Sequence, residues 1–267
     1  MKNLTKSIVA FVLSSSAFAF ALPVTTTISD TFLGGNDTSQ NPARDIIGGS
    51  DVFDIDNMAV TIDRALGTIS VKIATQFYDP TNTGATVPGG FIVNNGDLFI
   101  STNGWTPFGP DAGHSGDNAS NGTVWNYIFD TSNSNIYGAA FGVSLSNDEM
   151  ALYPSLVAGV DFRGNQETRR SGGGTQTGSG GAAITLAVDS SIAFIEYTFL
   201  LADIGIADPS GAINLGFHWT MTCGNDVIEG GVTADGGGGG GSEVPEPGTL
   251  LLAGLGLVGL GLRRRTK

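Results

Sequence analysis

The chain has 267 residues, with 41 glycines, one cysteine and a formal net charge of −13. Between Leu22 and Ser242 there are six basic and 23 acidic residues, which gives this part a net charge of −17. Such a surface repels phosphate backbones, which excludes nucleic acid as a partner. The single Cys223 excludes an internal disulfide bond, so stability has to come from core packing.

The first 21 residues have the composition of a targeting segment. Lys2 and Lys6 precede an apolar stretch, and alanines occupy positions 17, 19 and 21. This order predicts a helical secretory signal peptide over 1–21, which signal peptidase cleaves after Ala19 or Ala21. The protein is therefore expected to be exported, with 22–235 as its one globular domain.

Alternating apolar and polar residues follow in several segments of that domain. Apolar side chains occupy every second position over 58–62 and again over 69–73, and a short connection with Gly67 joins the two segments. A period of two indicates strands with one buried face, and the short connection indicates a hairpin. The domain therefore contains antiparallel strands.

A long polar segment separates this hairpin from the next group of strands. Residues 103–122 contain glycines, prolines, Trp105 and Phe108, and they are predicted to form a loop. Trp125 then alternates with polar residues and is predicted to lie on a core face. The glycine-rich segment 164–181 is predicted to be a flexible excursion within the domain.

The clearest strand covers residues 213–223. Its odd-numbered residues are apolar, so Trp219 and Cys223 are predicted to lie in the core, whereas His218 falls on the opposite face and is predicted to face solvent. With ten or eleven such strands and no long helix, the domain is predicted to be all-β. The expected architecture is a β-sandwich of the jelly-roll type.

The chain ends in a linker, a proline break and an apolar segment. Residues 236–243 are mostly glycine and form a flexible linker. Pro245, Glu246 and Pro247 then interrupt any helix, because proline lacks an N–H and clashes with the preceding turn. The apolar run 248–262 would reach roughly 22 Å as a helix, which is marginal for a membrane span. Basic residues close the chain and hold it in the cytoplasm: Arg263, Arg264, Arg265 and Lys267.

This Pro-Glu-Pro triplet, apolar helix and arginine cluster resemble the PEP-CTERM sorting signal of Gram-negative bacteria. The resemblance covers 244–267 and implies that the tail is a transient anchor in the inner membrane. It also implies that an exosortase-type protease recognises Pro245, Glu246 and Pro247, cleaves nearby and leaves the protein at the cell surface or outside the cell. The alternative is a plain tail anchor, although such an anchor needs no Pro-Glu-Pro and is usually nearer about 20 residues.

A metal site is one candidate within the domain. Asp51, Asp54 and Asp56 cluster at a strand end, and oxygen ligands at this density suit Ca²⁺. The EF-hand spacing is absent, and a solvated acidic edge explains the same residues. No cofactor other than calcium is expected.

An aromatic sugar platform is the other candidate. Trp105 and Phe108 lie in the polar loop, where an exposed aromatic side chain could stack on a sugar ring. The residues Gly-Asp-Leu-Phe-Ile-Ser (96–101), the following Gly-Trp and the later Ile-Glu-Tyr-Thr-Phe (195–199) resemble sugar-binding sandwiches of the family-9 carbohydrate-binding-module and DOMON kind. The alternative is that Trp105 caps one end of the sandwich.

Three functions remain open. The first is a non-catalytic, exported surface or extracellular-matrix protein. The second is a carbohydrate-binding module, with or without a dependence on Ca²⁺, that is sorted in the same way and has exopolysaccharide as its candidate partner. The third and least favoured is a secreted hydrolase. A serine hydrolase is disfavoured because His114-Ser115 lacks the glycine pattern of a nucleophile elbow. A glycosidase is disfavoured because Glu196 has no evident carboxylate partner. The protein is therefore not expected to be an enzyme.

Overall fold

The computed structural model describes residues 22–34, 45–47, 51–187 and 192–236. The predicted signal peptide (1–21), nearly all of the linker (237–243) and the sorting segment (244–267) lie outside the described residues. Pro245, Glu246, Pro247 and the arginines at 263–265 therefore have no structural account. Within the described ranges, no helix combines the length and the apolar character that a membrane crossing requires.

Two antiparallel sheets form the fold. The five-stranded sheet has the order β1-β2-β3-β11-β10. Its strands are β1 (Val24–Ser29), β2 (Ile55–Asp63), β3 (Thr68–Thr75), β10 (Gly181–Leu186) and β11 (Ala193–Leu200). The six-stranded sheet has the order β13-β12-β6-β7-β8-β9. Its strands are β6 (Leu98–Ser101), β7 (Tyr127–Asp130), β8 (Asn135–Leu145), β9 (Glu167–Ser179), β12 (Ile213–Thr220) and β13 (Val227–Ala234).

Small elements complete the described part of the chain. These are a short strand pair, β4 (Ala85–Thr86) with β5 (Ile92–Val93), the helix α1 (Ser146–Met150), and 3-10 turns at Asp51–Phe53 and Leu201–Ile204. The strand content and the packing of the sheets confirm the all-β, sandwich-like fold predicted from the alternation.

The core lies between the two sheets. Apolar side chains at every second position of β2, β3 and β12 are buried, as the period of two predicts. Trp219 of β12 is fully buried, and its indole Nε1 donates a hydrogen bond of 2.9 Å to the Tyr197 hydroxyl of β11. This bond joins the two sheets across the apolar interior. Cys223 is also buried, as a free thiol.

The glycine-rich segment 164–181 differs from its prediction. Most of it is β9, which pairs with β8 along nearly its whole length. Glycine lacks a side chain but keeps its backbone N–H and C=O, so it can join a ladder wherever a neighbouring strand is available. Four register shifts along β8 and β9 take up the irregular spacing of this pairing.

Candidate functional site

The outer face of the six-stranded sheet is covered at β12 and β13 by a long loop, residues 102–126, called the covering loop below. It lies directly on a pair of glycines, Gly216 of β12 and Gly231 of β13, which face each other across the ladder. A Cβ atom at Gly216 would lie 2.9 Å from the Gly104 carbonyl oxygen, and one at Gly231 would lie 3.0 Å from Trp105 Cβ. The absence of side chains at these two positions therefore lets the loop rest on the sheet.

The covering loop corrects the prediction for His218. The side chain does lie on the face opposite the core, but its exposed fraction is 0%. Its Nδ1 lies 3.2 Å from Glu229 Oε2, and its Nε2 lies 2.7 Å from the Glu167 carbonyl oxygen. His218 is therefore a buried bridge between β13 and β9, because the loop shields a face that the alternation alone would leave in solvent.

Three acidic side chains surround this imidazole, and together with it they form what we call the acid cluster: Asp117, Glu167, His218 and Glu229. Glu229 Oε1 accepts hydrogen bonds from Trp105 Nε1 at 2.8 Å and from the Thr123 hydroxyl at 3.3 Å. Asp117 Oδ2 accepts the backbone N–H of Phe108. The covering loop thus supplies both an acid and several donors to the cluster.

Burial and neighbouring charges shift the pKa values of Asp117, Glu167 and His218. Burial, followed by the charge of Glu229, raises the pKa of Asp117 to about 7. Burial also raises the pKa of Glu167. For His218, burial lowers the pKa, but the Glu229 hydrogen bond and the nearby Glu167 and Glu229 charges outweigh it and leave the pKa above its usual value. The protonation of Asp117 therefore changes near neutral pH.

A cavity of about 640 Å³ opens beside the acid cluster. Residues 119–126 of the covering loop, 139–141, 143 and 145 of β8, and Glu167 at the start of β9 line it. Trp125 provides an aromatic wall, and its ring centroid lies 5.6 Å from that of His218. Asn121 and Asn126 add amide groups. The cavity thus combines an aromatic ring, hydrogen-bonding amides and one carboxylate.

The β8 wall of the cavity is locally strained. Ala139 and Ala140 have φ values of 47° and 52°, in the left-handed region that side chains other than glycine rarely adopt. They form a bulge, because the pairing of β8 with β9 skips from Gly138 to Phe141. Bulges and left-handed residues of this kind concentrate at binding sites, where they aim side chains.

The residues predicted as a sugar platform do not line this cavity. Trp105 is partly buried, donates to Glu229 and packs edge-on against His114, with ring centroids 5.2 Å apart. Phe108 is 53% exposed on the same loop. Trp125 was predicted to lie on a core face, and this prediction is wrong: β7 begins only at Tyr127, so Trp125 belongs to the covering loop and lines the outer cavity.

The predicted calcium ligands stay near the surface. Asp51 and Asp56 are exposed, and Asp54 Oδ2 accepts a hydrogen bond of 2.9 Å from Gln76 Nε2. Burial, followed by the charges of Asp56 and Asp51, raises the pKa of Asp54. Calcium binding at these residues stays a prediction, which a calcium titration of the melting temperature would test.

A different set of aspartates converges nearby. One carboxylate oxygen from each of Asp30, Asp45 and Asp226 lies within 4.8 Å of the others, a spacing that a metal ion could bridge. Asp226 already accepts the backbone N–H groups of Ile55 and Val227. The buried guanidinium of Arg163 lies close enough to interact with all three charges and supplies positive charge to this corner.

Sequence reasoning missed Glu167 and Glu229, the two glutamates of the acid cluster. Glu229 left a signal, because a hairpin centred near Gly224 places it directly opposite His218, and β12 and β13 do pair in this register. Glu167 left none, since β9 pairs with β8, and the contact of its first residue with His218 of β12 follows from no local pattern. Its segment was predicted to be flexible.

One family model matches this chain. The PEP-CTERM protein-sorting motif covers residues 243–265. No curated protein and no solved structure matches the chain. The motif marks an exported protein that an exosortase-type protease sorts to the cell envelope or surface. It confirms the prediction made from Pro245, Glu246 and Pro247.

Proposed function

We propose that the sandwich is a non-catalytic surface domain that binds a glycan in the cavity beside Trp125. The observation that carries this proposal is the composition of the cavity wall, which places a tryptophan next to amide and hydroxyl groups. Sugar rings present C–H faces that pack on aromatic rings, and hydroxyl groups that exchange hydrogen bonds with amides. An extracellular polysaccharide is the partner that fits an exported, envelope-sorted protein.

The size of the cavity agrees with a short stretch of glycan. Its volume of about 640 Å³ falls within the range of about 300–1,000 Å³ that small-molecule sites occupy. The wall is divided between the covering loop and the bulged strand β8. Such a cavity can hold a few sugar units while the rest of a polymer extends into solvent.

The distribution of carboxylates favours binding over hydrolysis. Most glycosidases place two carboxyl groups on either side of the scissile bond. Glu167 is the single carboxylate among the described residues that line the cavity. Glu229 is 5% exposed and its carboxylate is engaged by Trp105, Thr123 and His218, so it is not free to reach a substrate. A hydrolase is therefore the weaker alternative.

A glycan array probed with the full chain, purified in detergent, tests the proposal. Binding to a defined set of glycans is expected, and Trp125→Ala should weaken it by about tenfold, since fully covering a large apolar side chain is worth roughly 1.5–3 kcal/mol. Phe194→Ala, a partly buried aromatic on the five-stranded sheet, is the matched control and should bind as the wild type does.

Two results would contradict the proposal. One is an array on which no glycan binds above background. The other is equal loss of binding in Trp125→Ala and Phe194→Ala, which would indicate general destabilisation. Release of reducing ends from a bound glycan would instead replace the non-catalytic assignment with the hydrolase.

A further inference from the structure

The charge of the cavity wall restricts which glycans it can hold. Among the described residues that line the cavity, Glu167 is the one ionisable side chain, and no lysine, arginine or histidine accompanies it there. Any charged group on a ligand therefore meets a carboxylate. A uronate or a sulfate would be repelled, whereas a cation would be attracted.

Glu167 has no ion-pair partner within the described part of the chain. The ion pairs found there join Arg169 to Glu149, Arg170 to Asp130 and His218 to Glu229. Both ring nitrogens of His218 are engaged, one by the Glu229 carboxylate and the other by the backbone carbonyl of Glu167. The imidazole therefore lies close to the Glu167 carboxylate without donating to it.

The acid cluster adds to this negative field. Three carboxyl groups, those of Asp117, Glu167 and Glu229, surround the one imidazole of His218. Burial raises the pKa of Glu167 and the Glu229 charge adds to that shift, whereas the His218 charge and hydrogen bonds from its own backbone and from Trp125 oppose it. The net shift is upward, so ionised Glu167 is only partly compensated, and a ligand cation at the cavity wall would compensate it further.

We infer that the cavity selects glycans carrying free amino groups, protonated to ammonium, over neutral and acidic glycans. This inference rests on the proposed function, because it names the class of glycan for the same cavity. An ammonium group beside Glu167 would form a charge-assisted hydrogen bond, which is about twice as strong as a neutral one. The face of Trp125 would add a cation–π contact to the same group.

Three trisaccharides with one backbone isolate this effect. Cellotriose, triacetylchitotriose and chitotriose are all β-1,4-linked glucose-type trimers, and they differ only in carrying hydroxyl, acetamido or amino groups at C2. Calorimetric titration of the full chain at neutral pH should give the lowest Kd for chitotriose. We expect it to bind at least about tenfold more tightly than cellotriose.

Two variants locate the preference. Glu167→Gln keeps the shape of the side chain and removes its charge, so the difference between chitotriose and cellotriose should disappear. Glu196→Gln, on the five-stranded sheet and hydrogen-bonded to Ser70, is the matched control and should keep the preference. Because the comparison among ligands is made first on the wild type, poor folding of a variant would not obscure the answer.

The outcomes separate this inference from the proposed function. Equal affinity for the three trimers, or binding to none of them, overturns the amino-group preference, and the proposed function then rests on the glycan array. Preference for chitotriose that persists in Glu167→Gln also overturns the assignment to this carboxylate. An array without any binding overturns the proposed function, and it overturns the amino-group preference as well, because that preference concerns the same cavity.

Discussion

At the scale of single residues, His218 shows what the burial of a polar side chain requires. A neutral or charged imidazole inside a protein is stable only while its ring nitrogens have partners. Here the partners are the Glu229 carboxylate and the Glu167 carbonyl, on two different strands. The side chain thus ties β12 to its hairpin partner and to a strand far away in the sheet.

His218→Ala is expected to lower the free energy of unfolding by about 2–4 kcal/mol. It removes a buried ring and takes a hydrogen-bond donor from two buried acceptor atoms, Glu229 Oε2 and the Glu167 carbonyl oxygen. Each unsatisfied buried acceptor costs about 1–3 kcal/mol. Trp219→Ala, on the core face of the same strand, is expected to lower the free energy of unfolding by about 3–5 kcal/mol and serves as the reference for a large loss. Urea denaturation measures the free energy of unfolding of both variants. Thr198→Val, an exposed strand position, is the control, and a His218→Ala value as small as that of Thr198→Val would contradict the buried bridge.

At the scale of elements, the contact between the covering loop and the hairpin β12–β13 depends on glycine. Gly216 and Gly231 are direct cross-strand partners, and Gly104 and Trp105 lie on top of them. No larger residue fits at Gly216, because its Cβ atom would meet the backbone of the loop rather than a side chain that could move away.

Gly216→Ala should therefore displace the covering loop. We expect a loss of about 1–3 kcal/mol in the free energy of unfolding, as for other overpacked sites, and a red shift in tryptophan fluorescence as Trp105 becomes exposed. Gly181→Ala in β10 is the control, since a Cβ atom there has no neighbour within 4 Å. If both variants have the stability and the fluorescence of the wild type, the loop does not rest on this glycine.

At the scale of the whole molecule, the buried acids make the free energy of unfolding depend on pH. Burial is the first cause in raising the pKa to about 7 for each of Asp97, Asp117 and Asp226. The pKa of His218 is raised as well. Between the ordinary aspartate pKa of 3.8 and about 7, the folded protein therefore binds more protons than the unfolded chain does.

The domain should consequently be more stable at about pH 5 than at about pH 8, because stability falls with rising pH wherever the folded state holds the extra protons. The contribution of the three aspartates is largest at low pH and is lost as the pH rises to about 7. That of His218 is lost as the pH rises above its raised pKa. The midpoints of urea denaturation at the two pH values measure the effect. A higher midpoint at the alkaline pH would contradict the prediction.

Sorting is also a property of the whole chain. If the apolar segment 248–262 forms the helix predicted from its sequence, replacing Pro245, Glu246 and Pro247 with alanine should let that helix extend towards the linker and leave the protein in the inner membrane. Cell fractionation and mass spectrometry of the C-terminus measure the outcome. Alanine at Gly239, Gly240 and Gly241, outside the matched residues 243–265, is the control and should be sorted normally. Efficient release of the triplet variant, with its tail removed, would show that the triplet is not the recognition element.

The sequence by itself determined those features that depend on neighbouring residues. The period of two specified the strands of the hairpin β2–β3 and the core row of β12, because alternate side chains of a strand must point to opposite faces. The sorting motif could also be identified from sequence, since its triplet, apolar run and basic end are contiguous. The period of two and the sorting motif can each be recognised without knowing which segments pack against each other in the folded protein.

Only the tertiary structure decided the candidate site. Trp105 and Glu229 are 124 residues apart and His218 and Glu167 are 51 apart, yet each pair is hydrogen-bonded. A local pattern assigns a face to His218 but cannot say that the covering loop will bury that face. It also cannot say that a glycine-rich segment finds β8 as a partner. Burial, and with it the shifted pKa values beside the cavity, arises from contacts between distant segments, which the order of residues along one strand does not record.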